Sequence, residues 1–265
     1  EAVMHFAAFI EAGESVKDPK KYFINNVDNF SQLLKNIKAN CSINSFIFSS
    51  SAAVYGEHSS SIKEDYDKKP INPYGETKLK GEELLQKFAE DQKISAIALR
   101  YFNAAGCIED GSLGEDHEPE THLIPKIIEF ILKGKPVRVF GNDYPTRDGT
   151  CIRDYIHVND LADGHLKALE SVYNNSKKDN KSFEAFNLGS GNGFSILEVI
   201  SELKKVVKEE VEIVYEGRRE GDPPYLVANT DKAEKSLNWS RKHGIREILS
   251  SAYSYYIKKG ELCDK

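Results

Sequence analysis

Ser45–Ser51 (SFIFSSS), Asn72–Lys78 (NPYGETK) and Ser95–Phe102 (SAIALRYF) decide the fold class. The first and third runs are short, apolar and unbroken, as strands buried on both faces should be. Between them, Asn72-Pro73 signals a helix start: Asn serves as the cap, and Pro fits the first helical position, where its missing N–H is no loss. That helix is expected to reach about Asp91. Upstream, Ala2–Ala8 (AVMHFAA) repeats the buried-strand pattern. Tyr22, Val27, Phe30, Leu33, Leu34 and Ile37 form the apolar stripe of a helix from about Pro19 to Lys38. Strand, helix, strand, helix, strand at these spacings implies right-handed crossovers and a parallel sheet. The fold class is α/β.

After Gly106 the texture changes. Gly, Pro, Asp and Thr punctuate Gly106–Arg153, with a helix expected near Leu123–Lys133 and a strand at Val137–Phe140. Asn159–Val172 is helical, Lys177–Lys181 (KKDNK) reads as a solvated loop, and Ser195–Val207 opens on a capping box from Ser195 to Glu198. This half is expected to form a smaller α/β lobe built on the first.

Composition narrows the partners. The 265 residues carry a net charge of −6, and no Lys/Arg block is long enough to track a nucleic-acid backbone. No apolar run approaches the ~20 residues of a membrane span, and no signal peptide opens the chain. Cys41, Cys107, Cys151 and Cys263 are widely scattered, which suits neither a zinc site nor a disulfide framework but ordinary thiols in a cytoplasmic protein.

Tyr74 and Lys78 stand four apart just inside the helix that Asn72 opens, on one face and one turn apart. An adjacent cation favours phenolate, so this pair suits general-base work. Tyr-x-x-x-Lys also occurs by chance on many helices. Context sharpens it: Ser49, Ser50 and Ser51 end a buried strand, and the carboxyl ends of such strands line the ligand crevice of an open parallel sheet.

These runs carry a resemblance. Phe48–Gly56 (FSSSAAVYG), Pro73–Lys78 (PYGETK) and Arg100–Gly106 (RYFNAAG) resemble the extended short-chain dehydrogenase/reductase superfamily. Phe140–Thr150 (FGNDYPTRDGT), Arg153–His165 (RDYIHVNDLADGH), Asn187–Gly191 (NLGSG) and Arg218–Asp222 (RREGD) are similar to the UDP-glucose 4-epimerases within it. The resemblance implies a Rossmann-like doubly wound sheet. Residues 1–104 would form a partial NAD-binding domain and 105–265 mainly a UDP-sugar-binding domain, with segments near 151–172 and 224–238 returning to the first. It implies Tyr74 as catalytic base, Lys78 as its partner on the nicotinamide ribose, and Ser51 as the hydroxyl on the sugar's reacting oxygen. Phe6, Ala7, Asn25 and Phe102 would contact the NAD cofactor. Asn103, Leu123, Phe140, Arg153, Arg219 and Asp222 would hold the UDP-sugar, the arginines offering forked donors to phosphate.

The departures are specific. Ile10 stands where many members carry a lysine near the cofactor, Ala53 replaces a small hydroxyl residue, and His122 replaces an asparagine beside the substrate. Members also open with a G-x-x-G-x-x-G turn at a helix N-terminus that holds the pyrophosphate. The first strand here matches the family's fourth, so by that layout roughly 70 residues would precede it. The chain by itself is then expected to be inactive and prone to aggregate through an apolar edge.

The implied reaction is NAD-dependent interconversion of UDP-glucose and UDP-galactose: oxidation at C4, rotation of the 4-keto sugar and re-reduction. Dehydratases and decarboxylases of this fold need an acidic residue just after the strand-end hydroxyl, and Ala52 and Ala53 follow Ser51 here. Epimerisation of UDP-glucuronate or of UDP-N-acetylhexosamines is the nearer alternative, and a non-catalytic UDP-sugar-binding protein the alternative of another class. By resemblance, Leu226 falls where family members tune tolerance of N-acetyl sugars. A homodimer through Pro19–Lys38 and Asn72–Asp91 is implied likewise.

Overall fold

The computed structural model describes residues 1–177, 182–219 and 221–263. Lys177 closes a helix, while the rest of the expected 177–181 loop lies outside the described residues, as does Glu220 of the RREGD run. In chain order come β1 (Ala2–His5), α1 (Ala12–Lys17), α2 (Pro19–Phe23), a π-helical turn (Ile24–Asp28), α3 (Asn29–Asn40), β2 (Ser45–Ser51), α4 (Pro73–Gln92) and β3 (Ser95–Tyr101). Next are β4 (Asn103–Ala105), α5 (Leu123–Leu132), β5 (Val137–Phe140), β6 (Ile152–His157), α6 (Val158–Lys177), β7 (Phe183–Leu188) and β8 (Gly193–Ser195). The chain then runs through α7 (Ile196–Val207), β9 (Ile213–Glu216), β10 (Tyr225–Leu226), α8 (Asp231–Leu237) and α9 (Ile245–Cys263).

The main sheet has the order β1-β2-β3-β7, every pair parallel. Helices cover both faces of β2 and β3, which therefore have no solvated side to alternate toward. β1, at the sheet edge, is only partly buried and does not show the two-sided burial its apolar run predicts. Phe46 and Phe48 of β2 pack with Phe30, Leu34 and Ile37 of α3 and with Leu85, Phe88 and Ala89 of α4. Ile47, between them in sequence, points the other way into a cluster with Ala168 and Val172 of α6, Leu237 of α8 and Trp239. Each buried Leu, Ile or Phe contributes roughly 1.5–3 kcal/mol, so the two-residue alternation fixes the strand register.

Two smaller sheets lie beyond. One joins β10, β6 and β4 in parallel, with β8 antiparallel against β6; the other pairs β5 with β9. Ile124, Ile127 and Ile128 of α5 pack with Val199 and Leu203 of α7 and Leu249 of α9 in a separate core.

Some elements differ from expectation. The first strand stops at His5 rather than Ala8, because residues 6–10 turn away to be held by Asn26. The Pro19–Lys38 helix is interrupted by the π turn at Ile24–Asp28. At α4, Asn72 is the expected cap, its side chain accepting from Gly75 N–H, and Pro73 is the first helical residue. The capping box at α7 forms in full.

Candidate active site

Tyr74, on the first turn of α4, lies beside the C-terminal end of β2. Its backbone N–H donates to the buried Ser15 hydroxyl at 3.1 Å, and its own hydroxyl is hydrogen-bonded to Ser51. Lys78, one turn on, is 3% exposed and donates from Nζ to the Ser49 carbonyl at 2.8 Å. Strand end and helix start are held this close because residue 75 is glycine: a Cβ there would stand 2.4 Å from the Ala53 carbonyl oxygen. Ser51, Tyr74 and Lys78 therefore converge.

Their electrostatics depart from the simple expectation that the lysine favours phenolate. Burial pushes the Tyr74 phenol up to about 12, and the bond from Ser51 only partly opposes it. Burial also pulls the Lys78 ammonium down to about 8, with Glu82 opposing. The Lys78 nitrogen lies 5.9 Å from the centre of the tyrosine ring, and desolvation outweighs attraction at that distance.

Phe6 is exposed at the end of β1 with its ring 4.9 Å from that of His165, and Ala7 beside it is exposed. Asn25 sits on the π turn and donates to Asn26 at 2.9 Å. Phe102 is buried against Ala52 and Val54, behind the turn that follows Ser51. Asn103 donates to the Asp154 carbonyl at 2.8 Å. Arg153 donates to the Pro223 carbonyl at 2.7 Å and lies 3.5 Å from the Asp222 carboxylate. Its neighbour in register is Leu226, which packs beside the Phe102 cluster. Arg219 is exposed, stacked over Phe140 at 3.9 Å. Leu123 packs on the core of α5, α7 and α9.

Sequence reasoning missed three supports. Asn26 accepts from Phe9 N–H and donates to both the Phe9 carbonyl and Thr77, bracing residues 6–10 on α4. Tyr101 brings its hydroxyl to that of Ser49. Glu82 accepts from Ser50 at 2.5 Å and from Arg100 at 2.6 and 2.8 Å, locking β2, β3 and α4 together. The adjacent Asn-Asn and the mid-helix glutamate were the available signals.

Residues 1–189 match the NAD dependent epimerase/dehydratase family. The chain belongs to that family. It is similar to the UDP-glucose 4-epimerase of Rhizobium leguminosarum bv. trifolii, 44% identical over 262 residues, covering 98% of this chain and 78% of that protein. The UDP-glucose 4-epimerase of Bacillus subtilis (strain 168) is 41% identical over 259 residues, 96% of this chain and 75% of that one. Among solved structures, the UDP-glucose 4-epimerase from Bifidobacterium longum, in complex with NAD+ and UDP, aligns with a TM-score of 0.91 at 37% identity. That alignment covers 98% of this chain and 77% of that one.

Proposed function

We propose that this family member interconverts UDP-glucose and UDP-galactose with NAD as cofactor. The observation that carries the reading is the convergence of Ser51, Tyr74 and Lys78 where β2 meets α4, in a chain whose relatives named UDP-glucose 4-epimerase are 41–44% identical to it.

The nicotinamide half of NAD fits the residues present. Lys78 has one hydrogen bond, to Ser49, and two further N–H donors that suit ribose hydroxyls. Phe6, Ala7, Asn25 and Phe102 are assigned to the cofactor by the family resemblance. When bound, NAD supplies the hydride acceptor and donor for the sugar's C4 and, oxidised, a positive charge near the phenol. The protein's part is the proton. The positive charges of Lys78 and of oxidised NAD would favour Tyr74 as phenolate, the form that takes the proton from the 4-hydroxyl as C4 is oxidised and returns it once the other face of the sugar is presented. Without them the phenol, at about 12, stays protonated. Ser51 hydrogen-bonds the same oxygen. Arg153, Arg219, Asp222, Phe140, Asn103 and Leu123 hold the UDP-sugar, leaving the hexose free to turn.

Leu226 sets partial tolerance of N-acetyl sugars; equal activity on UDP-N-acetylglucosamine in wild type and Leu226→Tyr would remove it from that role. No helix among the described residues is long and apolar enough to cross a membrane, and Cys41, Cys107 and Cys151 are free. By the family resemblance the protein is a cytoplasmic homodimer paired through α2–α3 and α4. In the active enzyme, Tyr74→Phe should lower kcat by ~10²–10⁴-fold while calorimetry shows UDP-sugar affinity retained. Near-normal turnover in that variant would overturn the assignment.

A further inference from the structure

Ahead of α5, loop residues Glu115, His117, Glu120 and His122 gather side chains whose ligand atoms all lie within 4.8 Å of one another. All four residues are half-buried. His117 Nε2 is 3.2 Å from a Glu115 oxygen and 3.3 Å from a Glu120 oxygen. His122 Nδ1 meets the same Glu115 oxygen from the other side. Two imidazoles therefore share one carboxylate oxygen, with their ring centres 5.2 Å apart. Protons on both would set like charges against each other.

The outer nitrogen of His117 orients the ring. His117 Nδ1 is 3.1 Å from the Pro119 carbonyl oxygen. A carbonyl there only accepts, so it keeps a proton on Nδ1 and aims Nε2 at the carboxylates, where Nε2 either carries a second proton or gives its lone pair to a metal. Metal-bound histidines are oriented in this way by a backbone acceptor on the far nitrogen. The Glu120 carboxylate and the Glu115 backbone are anchored as well. Thr121 and His122 N–H groups donate to Glu120 at 2.7 and 2.8 Å. The Tyr256 hydroxyl on α9 donates to the Glu115 carbonyl at 3.1 Å and lies 3.3 Å from Glu120.

We propose that Glu115, His117, Glu120 and His122 bind one divalent transition-metal cation, zinc fitting best. Two imidazole nitrogens and two carboxylates match zinc's mixed N/O preference at four-coordinate sites. Magnesium and calcium favour all-oxygen shells. The site adjoins the frame of the proton-transfer residues: Thr121 donates to Glu11, the residue before α1, whose Ser15 receives the Tyr74 N–H. The cation would fasten the entry to α5 and hence the position of Leu123.

The test strips the purified protein with a chelator and titrates zinc, with cobalt as a spectroscopic substitute. About one equivalent should bind and raise the melting temperature, because only the folded loop assembles the ligands. Cobalt should give the intense visible absorption of a four-coordinate centre. His117→Gln and Glu120→Gln should each weaken zinc binding by at least about tenfold, with the far-ultraviolet circular dichroism unchanged. X-ray absorption on the zinc-loaded wild type needs no variant and should show two imidazoles and an oxygen shell. No stoichiometric uptake, uptake indifferent to both substitutions, or a sulfur shell would each overturn the proposal.

Discussion

Lys78 is a charge held where charge is costly. Its ammonium is 3% exposed, and burial pulls it from 10.5 down to about 8. A lysine lowered in this way adds stability above its unfolded value near 10.5 and loses it as pH falls through about 8. The difference is worth ~3 kcal/mol. Wild type should therefore lose about that much unfolding free energy relative to Lys78→Met between pH 10.5 and 8, read from urea melts at several pH values. Activity should move the opposite way: on the proposed mechanism, which gives Lys78 to the ribose and the phenol, Lys78→Met should lose ~10²-fold or more in kcat/KM. A variant that is active and shows no pH-dependent gain would mean that Lys78 is merely a packed side chain. Together the two results would mark stability given up for function.

At the scale of the element, α4 is shaped to press its face onto β2. Gly75 meets the Ala53 carbonyl, and at Gly81 a Cβ would come 2.6 Å from the Phe48 ring. Gly75→Ala would force 2.4 Å contact with a backbone oxygen, so the helix start must lift. Overpacking of this kind costs ~1–3 kcal/mol, and a shift near 1 Å between reacting groups can cost ~10²-fold in rate. The expected outcome is a protein that still folds, with kcat down by roughly that factor and UDP-sugar affinity largely kept. Unchanged kcat would show that Ser51 and Tyr74 do not need this close approach. Much of α4 was legible in the sequence, because Asn72, Pro73 and the Tyr74/Lys78 pair act through neighbours one turn away. Glu82 was not, since its partners Ser50 and Arg100 lie on two strands that only the tertiary fold brings alongside. The π turn escaped for a related reason: Asn26 has no stripe of its own and is drawn inward by the Phe9 backbone. The His/Glu loop ahead of α5 repeats Glu-x-His five residues apart, a spacing that belongs to neither helix nor strand, so only the tertiary fold assembles it.

Across the whole molecule, Asp154 ties the main sheet to the β10-β6-β4 sheet. Its side chain is 0% exposed. It accepts from Ser190 N–H and hydroxyl at 2.6 Å, from Gly191 N–H at 3.0 Å and from Ala228 N–H at 3.0 Å. Those donors lie just past β7 and β10, while Asp154 itself is on β6. Desolvation outweighs the donors and raises its carboxyl from 3.8 to about 6. An acid raised by folding contributes stability fully present below its unfolded value and lost as pH rises through the folded one. Ionising Asp154 between pH 3.8 and about 6 thus costs the folded state ~3 kcal/mol. Asp154→Asn cannot ionise and suffers a pH-independent penalty for turning an N–H₂ toward donors. The unfolding free energy of wild type minus that of Asp154→Asn should therefore fall by ~3 kcal/mol from about pH 4 to pH 6.5 and stay flat above. Asp154→Ala should be worse than Asn at every pH, since it leaves buried N–H groups unpaired at ~1–3 kcal/mol each. Chemical denaturation of the three proteins across that range separates the effects. A difference between wild type and Asn that does not change with pH would mean that Asp154 stays ionised throughout and that its four donors, not burial, set its charge.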